Sequence, residues 1–186
     1  MVLWLGLGVG YVAGLGWSKL RGQPYQSPML NHLWLVFVGF LPQFLAIYFG
    51  NIRAVIPDLV AAFCILASQL ILLIFAWLNR HLAGMSILIV GLVLNMVVMA
   101  TNRGFMPINP MTAERLVGLE RIASYKVGSR IGYKDILLHK DDTRLELLAD
   151  RFLPPVGFPY QVAFSLGDIF IAFGAFWMLV YQKPIN

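Results

Sequence analysis

Apolar runs dominate the chain, and short polar breaks divide them. Five stretches approach the roughly 20 apolar residues that a membrane-crossing helix needs. They run from Met1 to about Trp17, Leu33 to Phe49, Ile56 to Leu78, Met85 to Ala100 and Val162 to Tyr181. The breaks at 18–32, 50–55 and 79–84 are short, which predicts antiparallel neighbours. The expected fold is therefore an all-α polytopic membrane protein, a five-helix transmembrane bundle. Residues 1–101 would supply four helices (about 1–17, 33–49, 56–78 and 85–100), residues 102–161 an extramembrane cap with short helices, and residues 162–186 the fifth helix and a tail. The first run has no basic stretch before it, and Lys19 and Arg21 follow it. It reads as a retained helix, not as a signal peptide.

Residues 102–161 break the apolar pattern. Asn109-Pro110 has the form of an N-cap followed by proline at the first helical position. A short amphipathic helix is expected from there to about Ser124, with Glu114 in its first turn. Val127 to Leu138, with Gly128 and Gly132, reads as a hairpin or an irregular loop. Thr143-Arg144-Leu145-Glu146 fits a capping box and predicts about two helical turns, stopped by Pro154-Pro155.

Composition supports the membrane reading. The chain has 186 residues, of which 59% are hydrophobic and only 12% charged. A soluble domain carries about 25% charged residues, so too little charge remains to cover a soluble surface. Net charge is +5, but the cap alone holds nine Lys/Arg and seven Asp/Glu. Nothing interleaves aromatic and basic residues, which argues against nucleic acid. The single Cys excludes a disulfide framework within the chain. Five crossings would put Lys19, Arg21, Arg80 and Lys183 on one side and Arg53 with the cap on the other. Basic residues in short loops favour the cytoplasm. The expected location is a bacterial inner membrane, with the N-terminus outside and the C-terminus cytoplasmic; Arg53, Arg103 and Arg151 weigh the other way.

Candidate functional residues are the polar groups inside apolar runs, which are costly there. They are Gln43 (beside Pro42), Gln69, Asn95 and Asn102, the last two seven apart on one helix face. Asp168 opens the fifth run, either as a cap or as a functional carboxylate. Gly6, Gly10 and Gly14 form a tandem GxxxG ridge. Such a ridge packs either inside its own bundle or onto a partner subunit. His32, His81 and His139 lack metal-ligand spacing, so no metal is expected. The many aromatic residues leave lipid, quinone or pigment as possible ligands, although no motif selects one.

Two segments carry a resemblance: "LVLNMVVMATNRGFMP" at 92–107, and the stretch from Asp142 to Gly174 with "DTRLELLADRFLPP" and "FSLGDIFIAFG". Together they resemble a family of bacterial integral-membrane proteins known only as a domain of unknown function, with an Asn-Gly-Gly-x-Met-Pro motif and a closing Ser-x-Gly-Asp span. Arg103 stands where that motif has its first glycine. "FSLGDIFIAFGA" is also similar to the last span of lipoprotein signal peptidases, which are membrane aspartyl proteases. That similarity implies Asp150 and Asp168 as a catalytic pair, one an acid and the other a base. The leading expectation is a non-catalytic accessory or scaffold subunit of a larger membrane complex, with the bilayer and other membrane subunits as partners. A membrane aspartyl hydrolase and a small transporter lined by Pro42, Gln43, Gln69 and Asn95 are the alternatives.

Overall fold

Each long apolar run contains a helix. The computed structural model describes residues 2–48, 56–155, 157–158 and 161–181. Helices α1 (Val2–Leu20), α2 (Trp34–Tyr48), α3 (Asp58–Leu78) and α4 (Met85–Thr101) come first. The chain then builds a cap from β1 (Met106–Ile108), α5 (Pro110–Val117), α6 (Leu119–Ile122), β2 (Arg130–Ile131), β3 (Asp135–Leu137) and two 3-10 turns. It returns to the helical layer as α7 (Leu166–Val180).

The expected five-helix transmembrane bundle does not survive. Among the described residues only α3 is both long and apolar enough to cross a membrane. Its 21 residues reach about 32 Å, against about 30 Å of hydrocarbon. α4 and α7 are apolar but hold 17 and 15 residues, or about 26 and 22 Å. Helix length thus gives one candidate crossing and does not carry a multi-pass location. The fold is also not all-α. The described residues hold seven α-helices and a three-stranded sheet in the order β1-β3-β2.

Glycines set the packing. α1 and α7 run in the same direction, because Gly6 faces Ala172, Gly10 faces Phe176 and Gly14 faces Leu179. A Cβ on Gly10 would sit 2.9 Å from the Phe176 Cα. α4 runs against α7, with Gly91 on Gly167 and Ile171, and Gly84 on Gly174 and Met178. α2 lies against α3, where Gly39 meets the Leu72 side chain and its carbonyl accepts a hydrogen bond from the Ser68 hydroxyl. The glycine ridge of α1 is therefore occupied within the chain. Pro42 lies inside α2, and the Gln43 side chain is outside the described residues.

Two asparagines fasten loops to helix ends. Asn79 ends α3 fully buried; its Oδ1 accepts from the Asn31 amide at 2.7 Å and its Nδ2 donates to the Asn31 carbonyl at 2.9 Å. Asn102 ends α4 in the same way against Arg144, at 3.0 and 2.8 Å. Each side chain imitates a backbone pairing and satisfies groups that burial would otherwise leave exposed to cost. Arg103 then takes φ 60°, the left-handed conformation that glycine favours, so the turn forms without glycine at that position.

The cap differs from expectation in detail. Asn109 does cap α5, accepting from the Met111 amide at 3.0 Å. The helix breaks at Gly118 (φ 85°), and Glu114 falls outside the first turn. Val127–Leu138 contains the β2–β3 hairpin. Thr143 starts no helix, because its hydroxyl donates back to His139 and Leu145 takes φ 57°. Only a 3-10 turn, Glu146–Leu148, follows.

Replacing Gly10 with Ala tests the close approach. Gly10→Ala is expected to lower stability by about 1–3 kcal/mol, because its neighbour is rigid backbone. Gly8→Ala, with nothing within 4 Å, is expected to be neutral or to stabilise by up to about 1 kcal/mol through helix propensity. Thermal unfolding of the two variants in detergent checks the contrast.

Candidate functional site

The cap meets α4 and α7 at a cluster of charged and polar side chains. β1 pairs in parallel with β3, with Met106 opposite Asp135. The Met106 amide donates to the Lys134 carbonyl at 2.7 Å. The chain later returns alongside β1, where Asp150 bridges Ile108 and its amide donates to the Pro107 carbonyl at 3.1 Å. Next, Phe152 and Phe164 exchange backbone hydrogen bonds at 3.1 and 3.0 Å and stack their rings. That bridge delivers the chain to Ser165, the N-cap of α7.

The first half of the cluster is ionic. Lys134 Nζ contacts Asp150 Oδ2 and lies 2.9 Å from Asp135 Oδ1. Asp150 is 1% exposed, and its Oδ1 has no hydrogen-bond partner among the described residues. Burial pushes the Asp150 carboxyl up to about 7, because low-dielectric surroundings disfavour its charged form. Lys134 pulls it back, while Asp135 and Asp168 add to the rise. For Lys134, burial opposes the charged ammonium, but the Asp135 and Asp150 carboxylates outweigh it and raise its pKa. The two groups titrate as a pair.

The second half is neutral apart from Asp168, which closes a capping box. The Ser165 hydroxyl accepts from the Asp168 amide at 3.1 Å, and Asp168 Oδ2 accepts from the Ser165 amide at 3.1 Å. Asp168 Oδ1 accepts from Asn95 Nδ2 at 2.8 Å, and the Ser165 hydroxyl donates to Asn95 Oδ1 at 2.8 Å. Gly167 admits Asn95, since a Cβ there would overlap its side-chain carbonyl. Both oxygens of Asp168 are therefore engaged.

The structure gathers some of the expected residues and separates others. Asn95 and Asp168 meet directly. Asp150 stands with Lys134 and feels the charge of Asp168, but no hydrogen bond joins the two carboxylates among the described residues. Asn102 serves the Arg144 clamp. The Gln69 Oε1 atom is buried with no hydrogen-bond partner among the described residues. No three metal-ligating side chains converge among the described residues. Lys134 and Asp135 carry no sequence signal, because a pair sixteen residues apart in irregular chain has no spacing signature. Ser165 alone left a trace, as the Ser-x-x-Asp of a capping box.

The pH sign follows from Asp150. Its folded-state pKa near 7 lies above the ordinary 3.8, so the folded state holds the extra proton between those values. That stabilisation is complete below about pH 3.8 and is lost as pH rises through 7. Unfolding of wild type relative to Asp150→Asn, measured from pH 4.5 to 8, should show wild type losing ground by at most about 1.4 kcal/mol per pH unit. Separately, Asn95→Ala strands Asp168 Oδ1 and the Ser165 hydroxyl and should cost about 1–3 kcal/mol in the same assay.

No curated protein and no solved structure matches this chain. A family model does match, over residues 28–180, and by that match the chain belongs to DUF5317, a family of unknown function.

Proposed function

We propose that this protein is a non-catalytic accessory or scaffold subunit embedded in a bacterial inner membrane, working through its surfaces. The carrying observation is the apolar outer face of the helical layer. Trp4, Val12, Phe37, Leu59 and Phe63 are 69–82% exposed. Exposed apolar patches of this breadth mark membrane or protein contact, because water would make them unfavourable. Lipid and neighbouring subunits are the surroundings in which they are stable.

The bonding of Asp168 supports a structural role for the polar cluster. An aspartyl hydrolase needs two carboxylates free to share one water, and here Asp168 caps a helix while Asp150 faces Lys134. Asn95, a candidate lining residue for a transport path, is held by Ser165 and Asp168 in the same way.

Orientation belongs to the same proposal. α1, α3 and α7 all end, and α2 and α4 begin, at the face opposite the cap. That face carries Lys19, Arg21 and Arg80, and every acidic residue of the chain lies elsewhere. It is the cytoplasmic face by the positive-inside tendency, with the cap outside.

Native membranes test both parts. After an alkaline carbonate wash the protein should stay in the pellet. After mild detergent it should migrate with a second membrane protein, well above its own 20.9 kDa. Release by carbonate would overturn the membrane reading, and a lone monomer the subunit reading.

A further inference from the structure

The face opposite the cap contains a cavity, of about 660 Å³, between the α1–α2 loop, the α3–α4 turn and the end of α7. Its wall divides by chemistry. Gln26, Ser27 and His81 supply polar groups, while Met29, Trp177 and Met178 supply apolar surface. Two part-buried fastenings hold its frame. The Asn79–Asn31 clamp joins the α3–α4 turn to the α1–α2 loop. The Tyr25 hydroxyl donates to the Leu179 carbonyl at 3.1 Å, joining that loop to α7. Such a frame is set before a ligand arrives, which lowers the cost of binding.

The surroundings select the ligand's charge. Arg80 precedes His81 and lies over the Trp77 ring, 4.8 Å from its centre. Arg21 lies over the Trp17 ring at 4.7 Å. None of Lys19, Arg21 and Arg80 is in an ion pair of the described residues, and no Asp or Glu of the described residues lies on this face to neutralise them. Four of the five tryptophans, at 17, 34, 77 and 177, lie at this end of their helices. Basic and aromatic side chains together at helix ends are the pattern of a bilayer's headgroup level.

The geometry points to a binding site for one anionic phospholipid, its phosphate beside His81, which Arg80 adjoins in the chain, and its first acyl carbons against Met29, Trp177 and Met178. The site rests on the membrane reading above and adds a headgroup preference to it. A zwitterionic headgroup brings its own cation and gains less from an uncompensated basic rim.

Native mass spectrometry of the detergent-solubilised protein tests the site, with phosphatidylglycerol and phosphatidylcholine supplied in equal amounts. Wild type should retain one phosphatidylglycerol at least tenfold more often than phosphatidylcholine. Arg80→Gln combined with His81→Gln should erase that preference. Lys126→Gln, on the cap, should leave it intact. Inorganic phosphate at millimolar concentration should not displace the lipid. Equal retention of both lipids, or an unchanged preference in the double variant, would overturn the site, as would displacement by phosphate alone. Those results leave membrane residence standing. Release by alkaline carbonate would instead remove the membrane reading beneath it.

Discussion

Backbone-to-backbone contact along α7 is the constraint on which the remaining structure depends. α1 approaches one side through Gly6, Gly10 and Gly14, and α4 approaches another through Gly84 and Gly91. α7 answers with Gly167 and Gly174 of its own. In the proposed lipid surroundings helices would gain nothing hydrophobic by associating, and close packing of small residues would supply the attraction. The same contacts leave the large side chains of these helices on the outside. The apolar outer face is thus a consequence of how the interior is built.

That packing also positions the chemistry. Gly167 lets the α4 side chain of Asn95 reach the first turn of α7, where Asn95, Ser165 and Asp168 satisfy one another. The cap then docks on this junction through the Asn102 clamp and through Arg130, which lies 3.5 Å from Asp58 at the start of α3. Alongside β1, the buried Asp150 carboxylate pairs with the half-exposed Lys134 ammonium. Such a pair contributes little net stability but is costly to break from one side. It ties two loop segments to one register.

Much of the helical pattern was legible because apolar runs bounded by charge mark helices whatever surrounds them. The glycine ridge was legible too, but its partner was not, since spacing names a face and not what lies against it. The apolar runs suggest more crossings than the helix lengths support. Runs such as 85–100 and 162–181 look long enough on composition, yet α7 begins only at Leu166, where its capping box forms. The β2–β3 hairpin left only the trace of Gly128 and Gly132, and β1 left none, because strands of two or three residues show no alternation. The sheet's pairing of residue 106 with residue 135 is non-local. The Thr-x-x-Glu pattern at Thr143 forms no capping box, because Leu145 turns left-handed, and the working box sits at Ser165. The Lys134–Asp150 contact depends wholly on the fold, and no local rule points to it.

The central claim is that lipid solvates the outer faces of the glycine-packed helices. A carbene reagent dissolved in the bilayer of native membranes, followed by peptide mapping, reads this directly. Val12, Phe37 and Phe63 should be labelled, while buried Ala76 and Val98 remain unlabelled. Labelling absent from Phe63 on α3 and from the other outer faces, or equal at the buried positions, would contradict the account.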